Sequence, residues 1–412
     1  SLVVITGVGT GLASSALMLL LRLVQRLAWP AGPGDFMAHV AQASMGWRIA
    51  VLILAGLTAG IGRSFLRRPN TKGHAGDLSE VIWLHDAKVA VAPTVASAIL
   101  SMTIVGLGAS LGREGALKQA GAAIGAQFSA WKKVTPQQRR LLVACGAGAG
   151  MGAAYNVPFG GALFVMEVLL GTVSLPAVLP ALVTSIIATI VSWLFLPNKP
   201  TYQISHFDLP PTLMVWALVA GPVLGLASAG YIKLIAWADS HRPIGREVVI
   251  APALVFALLG LAAVLFPQIL GNGKDLIQQL LSGQTKPALF SPLLILKMAA
   301  IAGCLAAGAP GGLFTPTMTC GALLGALLGW AWLFIWPGAA PVSFALIGAG
   351  AVLAASTQAP VSSVVLLVEL THRVDSMVVP VLIAIAGAML TTRALEHRSI
   401  YTARILPKRQ PR

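Results

Sequence analysis

Residues 108–125, GASLGREGALKQAGAAIG, and residues 308–325, GAPGGLFTPTMTCGALLG, carry one pattern of small residues twice. Gly108, Ala109, Gly112, Gly121, Ala122 and Gly125 return as Gly308, Ala309, Gly312, Gly321, Ala322 and Gly325, each 200 positions later. Farther on, Gly146, Gly148, Pro158 and Glu167 return as Gly348, Gly350, Pro360 and Glu369, each 202 later. Ten identities in fixed order at nearly one offset indicate an internal duplication. Its orientation follows from charge. The loop 131–140 (WKKVTPQQRR) holds Lys132, Lys133, Arg139 and Arg140, whereas its counterpart 331–340 (AWLFIWPGAA) holds no charge. Basic loops stay on the cytoplasmic side of a membrane, so the two equivalent loops lie on opposite faces. The expected fold is therefore an all-α polytopic membrane protein. Two inverted-topology repeats, residues 1–206 and 207–412, bring discontinuous half-helices together at the midplane.

Composition supports this class. Of 412 residues, 57% are hydrophobic and 10% charged, against about 25% charged in soluble domains, which excludes a water-soluble globule. The 43 Gly and 26 Pro are scattered among apolar runs rather than gathered in polar tracts, which excludes a disordered chain. The net charge of +15 sits in short loops, in clusters such as Arg63, Arg67, Arg68 and Lys72, or Arg404, Lys408, Arg409 and Arg412. These read as topology signals rather than a nucleic-acid surface. They put 62–72, 131–140, 238–247 and the C-terminus on one face, with both termini cytoplasmic. Cys145, Cys304 and Cys320 lack paired spacing, so neither a disulfide framework nor a zinc site is expected. The first 27 residues carry Arg22 and Arg26 at their far end, which suits a first membrane helix and not a cleaved leader. Long apolar segments lie near 3–27, 47–62, 88–107, 177–197, 211–237, 247–270, 290–307, 317–336 and 376–394. The pieces 115–130, 141–153, 158–170, 343–355 and 360–371 fall short of the roughly 20 residues a spanning helix needs.

The duplicated passage also carries the chemistry. Gly112-Arg113-Glu114-Gly115 aligns with Gly312-Leu313-Phe314-Thr315-Pro316, so Glu114 and Phe314 are counterparts and each should open a half-helix. A helix start exposes unpaired N–H groups and about half a positive charge, and two of them converging make an anion site. A carboxylate there takes the place of an anion and leaves when protonated or displaced, which describes a gate. The competing reading is structural, with Glu114 capping its own helix or pairing with Arg113. Glu167 and Glu369, matched near the ends of their short helices, read as structural ties to neighbouring loops.

GREG at 112–115, the GxFxP pattern at 312–316 and GMGAAYNVPFGGALFVMEV at 150–168 resemble the signatures of the CLC family of chloride channels and chloride/proton antiporters. The likeness covers essentially residues 3–407. It implies a homodimer with one anion pathway per subunit and Glu114 as the external gating glutamate. Backbone N–H groups of Leu313 and Phe314 would hold the central anion, with Arg113, Gly115 and Ala116 at the opposite helix start. Tyr401, in SIYTAR, matches the tyrosine that closes that site from inside, and as an interfacial tyrosine it could equally be an anchor.

Three departures qualify the likeness. The family's GSGIP signature is replaced by Gly73-His74-Ala75-Gly76-Asp77, which removes the serine that binds the central ion. His74, Ala75 and Gly76 are then the candidates at that place, with His74 either donating to the anion or simply solvated. Val168 stands where proton-coupled members carry an inner glutamate, which favours channel-like chloride transport over chloride/proton or fluoride/proton antiport by another proton path. Ala116 replaces the proline after GREG. No cofactor is expected, and with a short run after Tyr401 nucleotide-sensing modules are not expected either. An enzyme is not expected, since no His-Glu-x-x-His helix occurs and all seven His lie in or near loops. An organic-anion transporter would need an arginine clamp that the site does not offer. The expected location is a bacterial inner membrane.

Overall fold

The computed structural model describes residues 1–30, 32, 34–66, 78–172, 174–204, 210–245, 247–372 and 377–405. His74, Ala75 and Gly76 lie outside the described residues, as do Arg67, Arg68, Lys72, Lys408, Arg409 and Arg412. Helices account for the regular structure of the described residues, and two glycines form one isolated antiparallel bridge.

The helices come in two matching sets. The first half has α1 (Leu2–Ala28), α2 (Phe36–Gln42), α3 (Met45–Leu66), α4 (Leu78–Leu84) and α5 (Val91–Gly106). It continues with α6 (Glu114–Trp131), α7 (Pro136–Tyr155), α8 (Pro158–Phe164), which runs on as a π-helical turn over Val165–Leu170, and α9 (Leu175–Ser192). The second half answers with α10 (Thr212–Ser240), α11 (Glu247–Leu265), α12 (Lys274–Leu281) and α13 (Phe290–Ala306). After these come α14 (Phe314–Leu333), α15 (Pro341–Thr357), α16 (Pro360–Thr371) and α17 (Val378–Leu395). The packing is matched as well. α3 lies on α11 across the two halves, and the pairs α6 with α7, α7 with α9 and α1 with α9 recur as α14 with α15, α15 with α17 and α10 with α17.

Eight helices among the described residues are long and apolar enough to cross a bilayer. The segment 88–107 forms only the 16-residue α5. The piece expected over 141–153 grows to the 20 residues of α7, because a polar turn starts it. The Thr135 hydroxyl accepts from Gln138 N, the Gln138 side chain accepts from Thr135 N, and Pro136 takes the first helical position. That capping box is written in the charged loop rather than in the apolar run.

The repeated glycines are packing positions. A Cβ on Gly125 would sit 2.5 Å from Leu142 O on α7, and one on Gly321 would sit 2.5 Å from Gly348 O on α15. Small residues at these crossings let backbones touch, which is how helices associate where lipid removes the hydrophobic drive. Buried charges close helix ends. The Arg48 guanidinium donates to Ala41 O, Ala43 O, Ala263 O and Val264 O, while Lys297 Nζ donates to Ile269 O and Gly271 O.

Two glutamates tie the halves reciprocally. Glu167 accepts from Val361 N (3.1 Å) and Ser362 N (2.6 Å) at the start of α16. Glu369 accepts from Phe159 N (3.0 Å) and Gly160 N (2.6 Å) at the start of α8. Each carboxylate thus satisfies the orphan donors of a helix start in the other repeat.

Candidate anion-binding site

The site is built where α5 and α13 stop. Gly108 and Gly308 take positive φ, 106° and 79°, which few other residues adopt. The next residues turn back identically, with Ala109 N on Ile104 O and Ala309 N on Cys304 O, both at 3.0 Å. The two segments of the chain then meet. Gly112 N donates to Gly312 O (2.8 Å) and Gly312 N to Gly112 O (2.7 Å), a pair of bonds related by a local two-fold axis. α6 opens at Glu114 and α14 at Phe314, so both helix starts face this junction.

Glu114 is fully buried. Its Oε1 accepts from Phe314 N at 2.6 Å, and its Oε2 accepts from the Tyr155 hydroxyl at 3.1 Å, with Thr315 Oγ1 at 3.5 Å. Tyr155 Oη and Thr315 Oγ1 are themselves 3.0 Å apart. The carboxylate therefore sits on the positive start of α14 and does not cap its own helix. Cβ atoms on Gly112 or Gly312 would overlap it, and one on Gly115 would lie 2.8 Å from Gly312 N. Only glycine leaves room for this cradle.

Around it, Leu313 and Ala116 are buried. The Arg113 guanidinium lies 4.5 Å over the ring of Tyr155, whose ring centroid is 6.3 Å from that of Phe314. Tyr401 is buried edge-on against Phe164, with centroids 6.1 Å apart. A cavity of about 300 Å³ is lined by Gly115, Gly312, Leu313 and Tyr401, and also by Arg63, Arg242 and Arg404. Asp239 lines it too and is bonded to Arg242 and Arg404. Val168 is buried in the π-helical turn and lines a different cavity of about 340 Å³ with Glu167, Gln358, Arg393 and His397.

Two residues at the site escaped the sequence reading. Tyr155 hides in an apolar helix end, where the next residue, Asn156, is left-handed (φ 59°) and ends α7. Lys118 lines the 300 Å³ cavity with its Nζ 4.7 Å from the Tyr401 ring centroid and 4.8 Å from that of Phe164. It stands four residues after Glu114, on the same face of α6.

Comparison with known proteins bears on this arrangement. The profile of the family described as "Voltage gated chloride channel" matches residues 50–393. A ClcB-like protein of Ralstonia nicotianae is 33% identical over 90% of this chain and 89% of its own length. The voltage-gated ClC-type chloride channel ClcB of Salmonella typhimurium is 30% identical over 95% of each chain. Among solved structures, a slow cyanobacterial Cl-/H+ antiporter superposes with a TM-score of 0.84 at 19% identity, covering 100% of this chain and 98% of that one. A CLC-type fluoride/proton antiporter superposes with a TM-score of 0.77 at 19% identity, covering 98% of this chain and 96% of that one.

Proposed function

The chain belongs to the voltage-gated chloride channel (CLC) family of anion transport proteins, and from that premise we propose that it passes chloride through a pathway gated by Glu114. The observation that carries this is the 2.6 Å bond from Phe314 N to Glu114 Oε1. A negative group already occupies the helix start that would hold an anion, so chloride enters only when the carboxylate leaves. The central anion then rests on the N–H groups of Leu313 and Phe314, facing Arg113, Gly115 and Ala116 across the junction, with Tyr401 closing the inner side.

Channel-like flow is the first reading. Val168 offers no proton carrier at the inner position, and the ClcB relatives are named as channels. Proton-coupled antiport is the second, favoured by Glu167 and His397 lining one cavity beside Val168. The repeats divide at 206/207, and the working unit is a homodimer in a bacterial inner membrane with both termini cytoplasmic. Basic loops such as 131–140 support that orientation.

The test is reconstitution in liposomes, with chloride efflux and proton uptake followed together while an ionophore clamps the membrane potential. Chloride flow without proton movement supports the channel. Proton uptake against its gradient, in fixed ratio to chloride, replaces it with the antiporter. A folded protein that moves no chloride refutes both.

A further inference from the structure

We propose that Asp239 is a positioning residue for the inner closure: by holding Arg404 it fixes the short turn that carries Tyr401, and so sets how firmly the pathway retains chloride. The inference deepens the transport reading and rests on it. Tyr401 leads into the single 3-10 turn Thr402–Arg404, which ends at Ile405. Within it Arg404 N donates to Tyr401 O (3.3 Å), Ala403 N to Ser399 O (2.9 Å) and Ile405 N to Thr402 O (3.1 Å). Stitched in this way, the tyrosine and the arginine move together. Two long-range bonds fasten the turn to the membrane helices. Ahead of the tyrosine, Ile400 N donates to Ser356 O on α15 (2.8 Å), and behind it Arg404 Nε donates to Asp239 Oδ1 on α10 (2.9 Å).

Asp239 stands where a carboxylate is otherwise unfavourable. It is buried in the last turn of α10, against the negative end of the helix dipole. It also lines the 300 Å³ cavity together with Gly115, Gly312, Leu313 and Tyr401, where a negative charge repels an anion. Its bond to Arg242, three residues on, is local, whereas its bond to Arg404 spans 165 positions. The side chains of Asp239 and Arg404 are 2% and 11% exposed, so little water screens the pair. Losing one partner of such a pair leaves the other charge buried and uncompensated, which favours release of the turn. Asp239 thus has the wrong sign to serve the anion directly, and the right partner to serve it through Tyr401.

Calorimetric chloride titrations of the purified protein test this, because the two roles differ in sign. Asp239→Asn removes the charge at nearly constant shape. Acting through Tyr401, it should weaken chloride binding about fivefold. Acting through its own field it would tighten binding, and that result overturns the proposal, as does parent-like binding in monodisperse protein. Arg404→Gln cuts the same bond from the other side and should also weaken binding about fivefold. Added to Tyr401→Ala, either substitution should change binding by less than about twofold, since the group it positions is gone, and a full second loss overturns the proposal. Limited trypsin digestion reads the tether without chloride. Cleavage after Arg404 should be several-fold faster in Asp239→Asn than in the parent, and equal rates overturn the proposal. A parent protein that moves no chloride refutes the transport reading and takes the proposal with it. Chloride flow in the parent with unaltered binding in Asp239→Asn refutes only the role of Asp239.

Discussion

Replacing Tyr155 with Phe removes one oxygen from the molecule and tests the gate directly. In the parent that hydroxyl donates to Glu114 Oε2 at 3.1 Å and lies 3.0 Å from Thr315 Oγ1. The bond forms only while the carboxylate is seated on α14, so its loss destabilises the closed arrangement and leaves the open one alone. A hydrogen bond to a charged group contributes about 1.5–3 kcal/mol. The lower end applies here, because Phe314 N keeps its grip on Oε1 and Thr315 Oγ1, at 3.5 Å, can close up on Oε2. About 1.5 kcal/mol is roughly a tenfold rise in the ratio of open to closed pathways. Initial chloride efflux from liposomes at neutral pH should rise by about that factor, up to the rate of the Glu114→Gln protein. Tyr155→Phe added to Glu114→Gln should change nothing further, since the charge it acts on is gone. Efflux in Tyr155→Phe at or below the parent rate, from protein that remains monodisperse, would refute the reasoning. So would an equal increase in both backgrounds.

Other outcomes follow from the same geometry. Glu114→Gln or Glu114→Ala should keep chloride flow and abolish its pH dependence, checked by efflux across a pH series, and loss of flow in folded protein counts against the gate. Tyr401→Ala should weaken retention of the central anion in calorimetric halide titrations, and unchanged binding returns Tyr401 to the role of an anchor. Glu167→Gln and Glu369→Gln each remove the charge from two backbone bonds to a helix start, and at Glu167 from a third bond, donated by the Ser362 hydroxyl, at a cost of about 1–3 kcal/mol. Each should lower the thermal unfolding midpoint in detergent, and Glu167→Gln by the larger amount.

The sequence was most legible where backbone rules leave a single solution. Glu114 and Phe314 open their helices in the structure at the places the 200-residue offset indicates, because glycines must stand where two segments of the chain pair and a carboxylate lies against them. Reading failed where the deciding partner is distant in sequence. Nothing near Tyr155 says that its hydroxyl reaches Glu114, 41 positions away. Lys118 sits in a Gly- and Ala-rich passage whose periodicity does not mark it, and the rings of Phe164 and Tyr401 that it lies over are far along the chain. The early start of α7 was visible in Thr135 and Gln138, but an apolar window passes over polar capping residues.

The crossed carboxylates have a consequence for how the chain is made. When Glu167 leaves the ribosome, the two amides it will bind, at Val361 and Ser362, have not been synthesised. At about 5–20 residues per second the interval is roughly 10–40 s. For that time the first repeat is in or beside the insertion machinery with Glu167 lacking its final donors. Phe159 and Gly160 likewise wait for Glu369. Neither repeat can complete its short helix alone, so the first half has to be held in an unfinished state until the second arrives, and a chain cut between them would leave both halves open to quality control.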